Sequence, residues 1–106
     1  IIPSKIGNKE VVKINDNAFM NNDKIESIQI NYGLETIGNK AFYDCDNLKE
    51  IVLPASLKNV GNSPAFEECN NLILLIYSGK ISEKKLLGDD YQIKMLNLEI
   101  KKSNNE

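Results

Sequence analysis

Three segments of the chain carry one spaced pattern, and nothing else in the sequence restricts the fold as much. Residues 18–30 read AFMNNDKIESIQI, residues 41–53 read AFYDCDNLKEIVL, and residues 65–77 read AFEECNNLILLIY. Their common pattern is A-F-x-x-[NC]-x-x-[IL]-x-x-[IL]-x-[ILY]. A second anchor precedes each copy: VVKI at 11–14, LETI at 34–37 and LKNV at 57–60. Ile14, Ile37 and Val60 follow one another at 23 residues, as do Ala18 and Ala41, whereas Ala41 and Ala65 are 24 apart. The third copy therefore carries one extra residue, placed around Ser63-Pro64. A fixed period in the twenties is the signature of a solenoid, because one such unit cannot bury its apolar face alone and must stack on its neighbours.

The chemistry of one unit predicts its shape. Ile51 and Leu53 lie two apart and share one face of a strand, with Leu48 apolar ahead of them. Pro54 has no N–H for a ladder and ends the strand. Leu57 and Val60 then turn inward. Gly38 and Asn39 let the backbone bend, and Ala41-Phe42 follow in a short helical turn, alanine permitting close approach and phenylalanine filling the coil. Stacking places Phe19, Phe42 and Phe66 in one interior row and Ile28, Ile51 and Leu75 in another. The expected architecture is an α/β, β-rich, right-handed coil with a parallel β-ladder, its rungs at about 11–33, 34–56 and 57–78.

Both ends depart from the period. Ile1-Ile2-Pro3 looks like the last strand of a further rung, so residues 1–10 are read as its remnant and the chain as cut from something longer. After Ser78 the register fails. Ser82 suits an N-cap, EKKLL a short helix and Gly88 its stop. In YQIKMLNLEI, residues 91–100, apolar and polar residues alternate with a slip at Met95-Leu96, which predicts a long strand with a bulge. Lys101 to Glu106 reads as a polar tail. Residues 79–106 are thus a C-terminal cap and tail after a solenoid of residues 1–78; the alternative is that residue 79 begins a downstream module. The truncated N-terminal rung offers an edge for self-association.

Absences remove several classes of function. The chain has no histidine and no tryptophan, and all 13 basic residues are lysine. Catalysis through an imidazole base is excluded, and two cysteines without histidine cannot close a tetrahedral zinc site. No arginine fork is present to clamp phosphate. A net charge of −2 with no basic stripe lacks the footprint of nucleic-acid binding, and no apolar run approaches the roughly 18 residues a membrane span needs. No cofactor is implied.

Two groups retain chemistry to weigh. Cys45 and Cys69 sit one repeat apart at the same position, so they lie on adjacent rungs. They read as free structural thiols, exchangeable with Asn22 in the first copy, against a disulfide or redox pair, whose geometric window is narrow. Asp44, Asp46, Glu67 and Glu68 flank them. These acids could hold a hard cation or act as a glycosidase pair, but acidic outer turns are ordinarily solvated.

The copies resemble the BspA-type leucine-rich repeat, whose kernel A-F-x-x-C-x-x-L-x-x-I-x-[IL]-P is matched by IGNKAFYDCDNLKEIVLPASL. The likeness covers residues 1–77 and departs at Asn22 for cysteine, Asn31 for proline, and Tyr77-Ser78 for Leu-Pro. It implies a non-enzymatic module of a bacterial or protozoan cell-surface or secreted protein that binds a protein or glycan on its strand face. That face would consist of Ser27, Gln29, Asn31, Lys49, Glu50, Val52, Leu74 and Ile76, polar at one end and apolar at the other. Either Val52, Leu74 and Ile76 form a docking patch, or residues 79–100 fold back over it through Leu86 and Leu87. A spacer without a ligand of its own is the alternative function. Carboxylate-based hydrolysis stands well behind both.

Overall fold

The computed structural model of the chain describes residues 5–6, 9–78 and 80–102. Its elements are β1 (Lys5–Ile6), β2 (Lys9–Glu10), β3 (Lys13–Ile14), β4 (Ser27–Gln29), β5 (Thr36–Ile37), β6 (Glu50–Val52), β7 (Asn59–Val60), β8 (Leu74–Tyr77), α1 (Glu83–Leu87), α2 (Tyr91–Met95) and β9 (Glu99–Lys102). Short strands return to two ladders on successive turns of the chain. One ladder is β3-β5-β7 and the other is β4-β6-β8-β9, with every pair parallel. This is a β-rich repeat solenoid.

The registers are those that the sequence period dictates. Ile14 pairs with Ile37 and Ile37 with Val60. Ile28 pairs with Ile51 and Ile51 with Leu75. In β6 the middle residue, Ile51, is fully buried while Glu50 is exposed. That is the two-residue alternation of a strand with one face on a core. Phe19, Phe42 and Phe66 stack nearly parallel, with ring centroids 5.1 and 5.0 Å apart and interplanar angles of 6° and 3°. Phe42 and Phe66 have no exposed surface; Phe19, on the N-terminal side, is half-buried.

The Ala-Phe segment is not the expected helical turn. Left-handed backbone recurs at Asn17 and Lys40, and again at Asn21, Asp44 and Glu68. The N–H groups of alternate residues consequently point along the coil axis. Asn17, Phe19 and Asn21 donate to the carbonyls of Asn39, Ala41 and Tyr43, at 2.9, 2.7 and 2.8 Å. Phe42 and Asp44 do the same to Ala65 and Glu67, at 2.8 and 2.9 Å. The turn is thus a third ladder between rungs. Helix would have turned those N–H groups back into the segment and left the rungs unjoined.

Close approach explains the glycines at 38 and 61. A Cβ on Gly38 would lie 2.5 Å from the backbone nitrogen of Asp16, and one on Gly61 2.7 Å from that of Asn39. Beside them, Asp16 accepts from the Asn39 N–H at 2.7 Å and Asn39 from the Ser63 N–H at 3.0 Å. Gly61 keeps the register of Gly38, and Ser63 stands where Asn39 does. The extra residue of the third copy is therefore Asn62, one position before the expected place.

The N-terminal expectation of a strand at Ile1-Ile2-Pro3 lies outside the described residues, as do residues 103–106. β1 and β2 pair antiparallel, Lys5 with Glu10 and Ile6 with Lys9, so they form a hairpin rather than a rung of the parallel coil.

The C-terminal expectation needs correction. Residues 91–100 are not one bulged strand: Tyr91–Met95 is helix, and strand begins at Glu99. Lys101 and Lys102, assigned to the tail by sequence, belong to that strand, which pairs with β8 from Leu74–Glu99 to Tyr77–Lys102. The segment imitates a fourth turn of the coil. Leu86 and Leu87 are fully buried, and Leu86 accepts the Phe66 N–H at 2.9 Å, as Ala41 and Ala65 accept theirs from the rungs before them. Ser82 accepts from the Lys85 N–H at the start of α1, and Gly88 closes it with φ of 110°. The Lys94 ammonium donates to the Leu87 carbonyl at 3.0 Å. Cys45 and Cys69, by contrast, donate to the Phe19 and Phe42 carbonyls of the preceding rung.

Candidate functional site

Four parallel strands leave a regular outward surface. Ser27, Glu50, Leu74 and Glu99 form one row across it, and Gln29, Val52, Ile76 and Lys101 form the next. The inward residues between them, Ile28, Ile51 and Leu75, anchor the strands in the core. Burial of this inner set fixes the register, since a slip of one residue would turn each side chain to the opposite face.

The eight residues expected on this face lie on it or at its border. Ser27, Gln29, Asn31, Lys49 and Glu50 are exposed; Val52, Leu74 and Ile76 are partly exposed. Ile76 is not buried, so it stays available on the face. Leu86 and Leu87 do not fold over it, because both point into the core beside Phe66. β9 lies beside β8 rather than on top of it, and so widens the surface instead of covering it.

Three residues of the surface escape sequence reasoning. Ile73 is 53% exposed at the entry to β8 and extends the apolar patch. Its neighbours in the repeat, Glu26 and Lys49, are polar, and that contrast was the available signal. Glu99 and Lys101 close the face on the C-terminal side and pair with each other at 3.6 Å. They were hidden by the expected bulged strand, whose register gave them no place beside Leu74 and Ile76. The finished surface has an apolar centre of Val52, Ile73, Leu74 and Ile76, with polar residues on both flanks.

The other candidates resolve into structure. Cys45 and Cys69 are free, buried thiols. Their Sγ atoms donate to the carbonyls of Phe19 and Phe42 at 3.3 and 3.1 Å. Burial pushes both thiols up, Cys69 from 9.0 to about 12, so neither supplies a thiolate nucleophile near neutral pH. Asn22 fills the equivalent place by accepting from the N–H groups of Lys24 and Ile25. The Asp44 carboxyl is raised, first by its hydrogen bond with Asp46, then by burial and by the charges of Asp46 and Glu68. Among the described residues no three acidic, cysteine or histidine side chains converge as a metal site.

At the C-terminal end the Tyr77 hydroxyl donates to Glu83, which lowers the Glu83 carboxyl. Burial first, and then Glu83, raises Tyr77. This pair ties β8 to α1. No described helix is long and apolar enough to cross a membrane.

A family model described as the BspA type leucine rich repeat region matches residues 4–103, in six copies. No curated protein and no solved structure matches the chain significantly. The matched span runs through α1, α2 and β9, in keeping with the way these elements continue the strand ladder.

Proposed function

The chain belongs to the BspA-type leucine-rich-repeat family, and from that premise we propose that it is a non-enzymatic module that docks a protein or glycan partner on its four-stranded face. The observation that carries this reading is the apolar centre of Val52, Ile73, Leu74 and Ile76 within a polar border. An extended sheet that holds apolar side chains in fixed rows presents a rigid surface, and rigidity lowers the entropic cost of binding. Placement on a cell surface or in a secreted protein follows the general habit of the family. A right-handed coil follows from the rule for parallel crossover connections.

Residues 1–78 act as the binding solenoid in this reading, and 79–106 as the cap that protects its last full rung. Pull-down against host or matrix proteins and a glycan array test it directly. A specific ligand should be retained by the native chain and lost by Ile76→Asp and Val52→Glu, each keeping the native circular dichroism spectrum. Central interface positions of this kind typically cost a few kcal/mol of binding when disrupted. Capture that survives both substitutions would move the site off the strand face. Absence of any ligand for the chain would favour the spacer.

A further inference from the structure

We propose that the chain carries a second binding site, on the flank opposite in kind to the strand face: a lysine-walled cleft for a sulfated oligosaccharide. It arises where the two ladders end differently. β4-β6-β8 continues into β9, but β3-β5-β7 stops at β7, because residues 80–82, which follow β7 in the repeat, form a bend leading into α1 and not a strand. Among the described residues no strand pairs with the free edge of β7. A cleft of about 220 Å³ runs along that edge. Lys58 and Asn59 form one wall and Lys80, Ser82 and Lys85 the other, over a floor of Val60 and Ile81. A second hollow continues past the same Lys58 and Lys80 to Tyr32.

Three cations therefore converge on one opening in a chain whose net charge is −2. Among the described residues, none of the Lys58, Lys80 and Lys85 ammonium groups has a carboxylate within 4.0 Å, although Lys84 pairs with Asp89 and Lys94 with Asp90. Glu35 lies beside Lys58 on the preceding rung, and Glu67 and Asp89 border the hollow beyond Lys85. These acids bound the basic stretch without entering the cleft.

The shape selects the class of anion. Tyr32, 70% exposed, stands at the far end as a flat apolar plate on which a pyranose ring can lie. The Asn59 amide and Ser82 hydroxyl supply hydrogen bonds to sugar hydroxyls. A peptide would dock by strand addition, and the β7 edge is only two residues long, too short for a ladder. Lysine on an edge also deters aggregation. That role accounts for Lys58 but not for Lys80 and Lys85, which come from the opposite wall. The site owes nothing to the strand face and stands or falls apart from it.

The test is fluorescence polarisation with a labelled, heparin-derived sulfated hexasaccharide at low salt. Its desulfated counterpart and a hexaglutamate peptide serve as competing probes. The sulfated probe should bind, and its affinity should fall as salt rises. Lys58→Gln and Lys80→Gln should each weaken it about fivefold and the triple variant with Lys85→Gln about a hundredfold, the scale of exposed ion pairs acting together. Lys24→Gln, an exposed lysine outside both surfaces, should leave binding unchanged, and Tyr32→Ala should weaken it. The proposal is overturned by no binding, by equal loss in Lys24→Gln, by full retention in the triple variant, or by equal binding of either competing probe.

Discussion

Truncation of Phe42 to alanine separates a stacked solenoid from a loosely folded chain with the same composition. The ring lies between Phe19 and Phe66 at 5.1 and 5.0 Å and has no exposed surface. Removing a buried phenylalanine costs about 3–5 kcal/mol, from lost transfer energy plus the cavity. Stacked ring pairs contribute about 0.5–1.5 kcal/mol each beyond their area, and Phe42 takes part in two. The top of the range, about 5 kcal/mol, is therefore expected. A domain of this size has about 5–15 kcal/mol in all, so the variant should be marginal. Phe19 has one stacked neighbour and is half-buried, so Phe19→Ala should cost about 2 kcal/mol. Urea unfolding followed by circular dichroism measures both. At a slope of about 1–2 kcal/mol per molar urea, the midpoint should fall by at least about 2 M for Phe42→Ala and by much less for Phe19→Ala. Phe42→Leu, which keeps bulk and loses stacking, should fall between them. Equal costs at 19 and 42 would refute a continuous interior row.

Gly38→Ala should destabilise by about 2 kcal/mol, since the new methyl meets backbone that cannot swing aside; calorimetry that finds it neutral would remove the close approach of the rungs. Glu68→Asn should stabilise by about 0.5 kcal/mol, because asparagine tolerates the left-handed backbone held there at φ of 65°, and thermal melting reads the gain. Cys69 gives a pH prediction. Its folded pKa is raised from 9.0 to about 12, so the unfolded thiol loses its proton first. The contribution is complete below about pH 9 and is lost as pH rises toward 12. Urea unfolding at several alkaline pH values should fall less steeply for Cys69→Ala than for the native chain, and equal slopes would contradict burial of the thiol.

Legibility in the sequence followed periodicity. The rows Ile28–Ile51–Leu75 and Phe19–Phe42–Phe66 were readable because each rung repeats the same inward positions. Cys45 and Asn22 were readable as one structural place because both can satisfy backbone in a turn. The Ala-Phe turn was misread as helical, since apolar spacing does not report the sign of φ at Lys40 or Asp44. The segment 91–95 failed for a related reason. Tyr91, Ile93 and Met95 alternate like a strand, yet Tyr91 and Met95 are also one helical turn apart. In the structure those two are partly buried, while Ile93 is 69% exposed, which is helical spacing. Five residues do not separate the two periods. The outer rows of the strand face followed once the inner rows were fixed, except where β9 joins. The lysine cleft was not readable at all. Lys58 lies more than twenty residues from Lys80, and only the missing fourth strand of the β3-β5-β7 ladder brings them together.

Both surfaces depend on β9 extending one ladder while β7 ends the other. Methyl NOEs along the inward row Ile28, Ile51, Leu75 and Ile100 test that arrangement most directly. An unbroken chain of contacts, each residue touching only its neighbours in that order, is the expected result. An Ile100 methyl with no contact to Leu75, beside intact contacts from Ile28 to Leu75, would contradict it and make the C-terminal segment a separate unit.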